Sequence, residues 1–300
     1  MPTLIRHVAG ILAAILLLAP PALSAGLPRD DLIGDMGAHV AVTEDTLLDL
    51  ALEHDLGYVE IVAANPGVDP WLPPAGTFVV LPTMHVLPAV EHRGIVINLA
   101  EMRLYWFPRK GPPVTMPLGI GSVGASSPRG RTTVVAKRTN PTWYPTASLR
   151  AEDPDLPASV PPGPDNPLGS YALYLGWHAI LLHGTNRPYG IGRRASHGCF
   201  RLSDSNAERL FKEAPIGTPV LAIDQPVKLG WRGAVLYLEV HPTQSQADAL
   251  ERGEPVTDVP VLGLRKQILG LVDGDESRID WRRVARAAAL RSGVPIAITH

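Results

Sequence analysis

Cys199 is the single cysteine in 300 residues, and its neighbours are of the types that activate a thiol. It lies in Ser196-His197-Gly198-Cys199-Phe200-Arg201-Leu202, and a second histidine heads His183-Gly184-Thr185-Asn186. A thiol attacks as its thiolate, and a nearby imidazole is the usual means of deprotonating it. If residues 197–202 enter a strand, the two-residue period places His197, Cys199 and Arg201 on one face and turns Phe200 and Leu202 into a core. Gly198 has no Cβ, so a substrate carbonyl can approach the amides of Gly198 and Cys199, which are candidate oxyanion donors. Two histidines compete as base. Side chains two apart on a strand run parallel and meet poorly, which favours His183, ending a different strand, over His197. No carboxylate is obvious as an orienting group, and the Gly184 carbonyl can serve instead. A metal site built from His183, His197 and Cys199 fits no common zinc spacing.

The elements that must position these residues belong to a folded, mainly β protein. A 45% hydrophobic and 19% charged composition is that of a globular chain. The 31 prolines favour loops and edge strands over helix interiors. A net charge of −2 with mixed signs argues against a nucleic-acid partner. Arg6 and His7 precede an apolar run from Val8 to Ala19, and Ala22-Leu23-Ser24 supplies small residues for cleavage before Ala25. Residues 1–24 are thus expected to be an export signal, too short to span a bilayer comfortably. A lone thiol sent to an oxidising compartment can be a buried hydrophobe or a reactive group.

Residues 39–84 read as a small self-contained unit in the order strand, helix, helix, strand, with helices from Leu47 and over Tyr58 to Ala64. From Gly94 two strands, Ile95–Leu99 and Met102–Phe107, flank a polar turn. Gly119, Gly121 and Gly124 make a poor nucleotide loop because no helix follows. Residues 154–167 hold six prolines in fourteen positions and read as a long loop or lid. Residues 224–300 start with a strand from Ala234 to Val240 and end with a helix from Trp281 to Arg291. The arginines there, Arg291 included, are expected to form a solvated face, and the region is assigned no chemistry.

The motif set resembles the YkuD-type L,D-transpeptidase catalytic domain over residues 92–223, and the chain is similar to its ErfK-like periplasmic members. Besides the two motifs, Ser127-Pro128-Arg129-Gly130, Asn140-Pro141-Thr142-Trp143 and Pro162–Gly169 match, as does Leu236–His241 in the tail. Residues 39–84 resemble a LysM module through Glu44–Leu47, Ala64-Asn65-Pro66, Leu72–Gly76 and Val80-Leu81-Pro82. The resemblance implies a β-sandwich-like catalytic domain, a small α+β glycan-binding module and a C-terminal α+β extension at 224–300. It implies Cys199 as nucleophile, His183 as base held by the Gly184 carbonyl, and a supporting role for His197. Ser196, Asn186 and Arg201 are expected on the substrate side, Arg201 either anchoring a stem-peptide carboxylate or bracing the loop.

The implied reaction is acyl transfer from a peptidoglycan tetrapeptide stem, with loss of D-alanine, to an amine of a second stem or of an outer-membrane lipoprotein. It requires no cofactor or metal, and a carbapenem is expected to acylate the thiol. Water as acceptor, giving a carboxypeptidase, and a non-catalytic wall-binding protein are the alternatives. Removal of 39–84 is expected to weaken binding to sacculi while sparing reaction with small stem peptides.

Overall fold

Residues 30–300 are described by the computed structural model, and the expected export signal at 1–24 lies outside them. Strands β1 (Leu32–Ile33) and β2 (Gly37–Val40) precede two helices, α1 (Leu47–Glu53) and α2 (Tyr58–Ala64). Thr46 caps α1 by accepting the Asp49 amide at 3.0 Å. At the end of α2 the Asn65 side chain donates to the Ile61 and Val80 carbonyls, both at 2.8 Å, and accepts the Val80 amide at 2.7 Å. That single amide ties the helix end to β3 (Phe78–Leu81), the antiparallel partner of β2. Strand β4 (His85–Val86) returns to pair with β1.

The chain then enters β5 (Gly94–Asn98), β6 (Arg103–Phe107), β7 (Val114–Pro117), β8 (Ile120–Gly121) and the long β9 (Gly130–Thr139). Helix α3 (Ala147–Glu152) precedes β10 (Tyr171–Leu175), β11 (Leu181–His183), β12 (Arg194–Ser196) and β13 (Phe200–Arg201). Helix α4 (Asp204–Glu213) and β14 (Pro219–Ile223) complete this part. Eight strands form one mixed sheet in the order β13-β11-β10-β9-β14-β5-β6-β7. Its first four β9 residues pair with β14, and from Val134 onward β9 pairs with β10. One strand thus belongs to both halves, and the sheet curls over itself. Ile95, Ile97, Leu104 and Met116 from one half meet Leu173, Leu182 and Phe200 from the other in a shared core closed by Ala207 and Leu210 of α4. The result is mainly β and sandwich-like. Strands β8 and β12 stand apart as a two-stranded parallel ribbon.

The last part contains β15 (Val227–Arg232), β16 (Val235–Val240), α5 (Gln244–Glu251), α6 (Leu264–Leu271), α7 (Trp281–Leu290) and β17 (Ile296–Ala297). Leu236, Leu238, Ile268, Val284 and Ile298 build its own core. Arg291 departs from the expected solvated face. It is buried and gives its guanidinium to the His241 and Val259 carbonyls, because the helix ends there in a left-handed turn that swings it inward. Among the described residues no helix is long and apolar enough to cross a membrane.

A buried polar network joins the three parts. Lys228 Nζ contacts Glu101 at 2.6 Å, Glu239 at 2.8 Å and the Tyr105 hydroxyl at 2.9 Å. Glu239 also accepts the Val86 amide at 2.5 Å and His241 Nε2 at 2.6 Å. Nearby, Glu60 of α2 takes Arg103 Nη2 of β6 at 2.7 Å and the Gly57 amide at 2.9 Å. Leu48, Tyr58 and Val59 sit in the central core itself. The 39–84 segment has a core of its own around Leu47, Leu50, Ile61 and Val79, and its second helix is also tied to the catalytic part through Glu60, Tyr58 and Val59.

Removing one partner of a buried ion pair strands the other charge, at a cost of about 3–5 kcal/mol. Glu60→Ala should lose that much in urea unfolding. A chain lacking residues 39–84 should lose cooperative melting and, with it, activity on small stem peptides. A truncated chain that melts cooperatively and works at full rate would show that α2 is dispensable to the catalytic sheet.

Candidate active site

His183 ends β11, and its neighbour in the sheet is β13, parallel and in the register Leu182 to Phe200 and His183 to Arg201. Leu182, Phe200 and Leu202 are buried in the central core, so side-chain alternation puts His183, Cys199 and Arg201 together on the opposite face. Strand β13 is held on its other side too, by paired bonds between Arg201 and Gly119 at 2.8 and 2.9 Å. His183 is only 4% exposed. Its Nδ1 lies 2.6 Å from the Gly184 carbonyl. A carbonyl only accepts, so Nδ1 carries the hydrogen and Nε2 keeps the lone pair.

Between β12 and β13 the backbone does not run as one strand. Gly198 has φ +99, a conformation that favours glycine, and the chain turns there. The expected common face therefore includes Cys199 and Arg201 but not His197. His197 is instead 45% exposed, with Nε2 3.1 Å from Glu152 Oε2 of α3. Ser196, expected on the substrate side, faces inward: it is 4% exposed and donates its hydroxyl to the Cys199 carbonyl at 2.6 Å. Ser127 donates likewise to the Gly198 carbonyl at 2.9 Å while accepting the Gly121 amide. Both carbonyls of the turn are thus turned away and held. The amides of Gly198 and Cys199 have no hydrogen-bond partner among the described residues. Asn186 is exposed on the loop after β11.

Three positioning groups escaped the sequence reading. Asp204 accepts the Thr185 amide at 3.0 Å and so braces the loop after His183. Ser203, the N-cap of α4, was the available sign that a helix begins there and presents Asp204 in its first turn. Glu152 had no sequence signal, and Ser127, though part of the Ser127-Pro128-Arg129-Gly130 match, gave no sign of its distant partner Gly198. The proline-rich loop is ordered around Asn166, which is fully buried and donates to the Pro141 carbonyl at 2.6 Å while accepting the Leu168 amide at 2.9 Å.

Burial pushes the His183 pKa down to about 4, with Arg201 adding to the effect against the Gly184 bond. Burial also pushes the Cys199 thiol up, opposed by the Leu181 backbone and by Arg201. The thiol points to the Ala179 carbonyl at 3.5 Å. At neutral pH the resting pair is therefore neutral thiol and neutral imidazole. Arg201 contacts the Ala195 carbonyl at 3.4 Å, its Nε is buried without a partner, and no carboxylate among the described residues reaches it. One grouping of metal-ligand type exists among the described residues, His85, Glu101 and Glu239. The Lys228 ammonium already occupies both carboxylates, so the donors do not fit a cation.

A folded-over sheet that presents a cysteine and a buried, carbonyl-bound histidine on one face is a scaffold for cysteine acyl transfer. Residues 92–221 match the YkuD family model, the L,D-transpeptidase catalytic domain. The chain is 41% identical over 253 residues to Probable L,D-transpeptidase YbiS of Escherichia coli strain K12, covering 82% of this chain and 81% of that protein. It is 40% identical to Probable L,D-transpeptidase ErfK/SrfK of Salmonella typhimurium, over 83% of this chain and 81% of the relative. To Probable L,D-transpeptidase YcfS of Escherichia coli strain K12 it is 38% identical, over 88% and 84%. The chain belongs to the YkuD family and is an L,D-transpeptidase, an enzyme of peptidoglycan.

The pKa shifts give a pH dependence with a definite sign. An imidazole depressed to about 4 stays deprotonated above that value, so if His183 serves as base, kcat/KM should hold down to roughly pH 5 without the inflection near 6.5 of an ordinary histidine. Alkylation of Cys199 by iodoacetamide in the resting enzyme should be slow at neutral pH, with its midpoint above the usual thiol range. A midpoint below neutrality would reveal a preformed thiolate and overturn the neutral-pair description.

Proposed function

We propose that Cys199 is the nucleophile and His183 the general base of an acyl transfer from a tetrapeptide stem. The carrying observation is the His183 to Gly184 carbonyl bond, which leaves Nε2 as the basic atom on the face that bears Cys199. The thiol attacks the carbonyl joining the L-centre of the third stem residue to D-alanine. A carbon–sulfur bond forms, the carbon–nitrogen bond breaks, and the thiol proton passes through His183 to the departing D-alanine amine. An acceptor amine then attacks the thioester, gives its proton to His183, and the thiol is regenerated. The unpartnered amides of Gly198 and Cys199 receive the oxyanion of each tetrahedral intermediate.

Arg201 anchors a stem carboxylate, a role supported by its lack of an acidic partner within the protein. His197, tied to Glu152 on α3, holds the lid segment over the nucleophile, where exclusion of water favours an amine acceptor. The amine comes from the diaminopimelate residue of a second stem or from a lipoprotein lysine. Residues 39–84 hold N-acetylglucosamine-containing glycan, supported by the strand-helix-helix-strand order and by the exposed Trp71 and Leu72. Residues 1–24 direct the chain to the periplasm, where the signal is removed.

Incubation with purified sacculi and mass spectrometry of the muropeptides tests the chemistry. Cys199→Ala should release no D-alanine and form no cross-link while keeping its circular dichroism. His183→Ala should be slower by about a hundred-fold or more, whereas the exposed His197→Ala should cost little stability. A carbapenem should add one adduct mass that prior alkylation of Cys199 blocks. Turnover by a folded Cys199→Ala protein would sink the nucleophile assignment.

A further inference from the structure

The C-terminal part has its own core, yet one of its helices leaves that core for the central sheet. Ala247 of α5 packs into the central core instead. On the same helix, Asp248 Oδ2 lies 2.6 Å from Arg194 Nη1, with side chains 16% and 8% exposed. Glu251 Oε1 lies 3.1 Å from Arg193 Nη1. Residues three apart share a helix face, so the two carboxylates present one acidic face to the start of β12. The helix is itself fixed at its N-terminus by a reciprocal cap between Thr243 and Gln246.

Strand β12 needs such a grip. It is no part of the eight-stranded sheet, and its partner β8 is two residues long. Two-stranded ribbons of this size are marginal alone. Arg194 is nevertheless two residues from Ser196, whose hydroxyl holds the Cys199 carbonyl at 2.6 Å. Any slide of β12 is thus passed to the turn that carries the thiol. The arginines have little else to hold them. The Nε atoms of Arg193 and Arg194 are buried without partners, and the second contact of Arg193 is the Tyr58 ring, 3.6 Å below its guanidinium.

We propose that Asp248, with Glu251, positions the nucleophile: the acidic face of α5 clamps Arg194 and Arg193, and through Ser196 sets where Cys199 stands. This gives the region 224–300 a part in the reaction, and it rests on the reading of Cys199 as nucleophile. Misplacement of a reacting group by about 1 Å can cost on the order of a hundred-fold in rate.

The test uses the full chain and a soluble tetrapeptide donor with an amine acceptor. Asp248→Asn should lower kcat by about ten-fold or more, with KM for the donor within roughly two-fold. Asp248→Glu should keep most of the rate. The exchange Arg194→Asp with Asp248→Arg should recover a large part of what either change alone loses. Should Asp248→Asn fail to fold, Glu251→Gln, which removes the more exposed pair, carries the same test. A folded Asp248→Asn or Glu251→Gln protein with wild-type kcat overturns the clamp, as does a loss seen only in KM. Cys199→Ala, run alongside, separates the two readings: its activity would remove the nucleophile itself, whereas an inactive Cys199→Ala beside a fully active Asp248→Asn would remove only the clamp.

Discussion

The ammonium of Lys228 lies between the carboxylates of Glu101 and Glu239, fully out of water, and each of these residues comes from a surface that would otherwise be open. Glu101 belongs to the turn between β5 and β6, and Lys228 and Glu239 face each other across β15 and β16. A charge in such a place persists only when paired and hydrogen-bonded. Every oxygen of the cluster has a donor: Asn98, Tyr105 and Lys228 for Glu101, and Val86, His241 and Lys228 for Glu239. Although burial opposes it, Lys228 and His241 hold Glu239 ionised, with its pKa lowered. The arrangement specifies one docking of the last part on the sheet, since a shifted docking would strand a buried charge.

That docking decides what the catalytic face can be. On the second face of β5 and β6, Val96, Tyr105 and Phe107 are buried with Leu87, Ile33 and Val90, while helix α5 of the last part meets Arg193 and Arg194 at the start of β12. On the N-terminal side the ion pair of Glu60 and Arg103 brings α2 up to the same segment, where the Tyr58 and Val59 amides meet the Ile191 and Gly192 carbonyls at 3.3 and 3.2 Å. A side chain on Gly192 would collide with the Gly57 backbone, its Cβ falling 2.2 Å from the Gly57 Cα. The segment leading to the thiol is thus enclosed by two parts that lie outside the matched catalytic domain.

Burial also sets the chemistry of the pair. A thiol kept protonated resists oxidation, because the thiolate is the reactive form. An imidazole kept neutral is ready to accept a proton as soon as a carbonyl is attacked. Arg201 contributes a positive charge that lowers the thiol's pKa a little and that of the imidazole as well. The resting thiol and imidazole are therefore both neutral.

Much of this was legible in the residues. The single cysteine, the two motifs, the mainly β character and the order of elements in 39–84 follow from residue type and local period, which act within a few positions of the chain. The alternation of Cys199, Phe200, Arg201 and Leu202 also follows from strand geometry, and it put thiol and guanidinium on one face. The same period failed one residue earlier, because the positive φ of Gly198 turns the chain and sends His197 out to Glu152. What only the tertiary structure decided are the pairings between distant residues: Ser127 with Gly198, Glu60 with Arg103, Lys228 with Glu101, Asp248 with Arg194. A charged residue in a sequence reads as a solvated surface group, and nothing local marks the ones that will be buried. Their partners stand 43 to 127 positions away, and only the folded sheet brings them within reach.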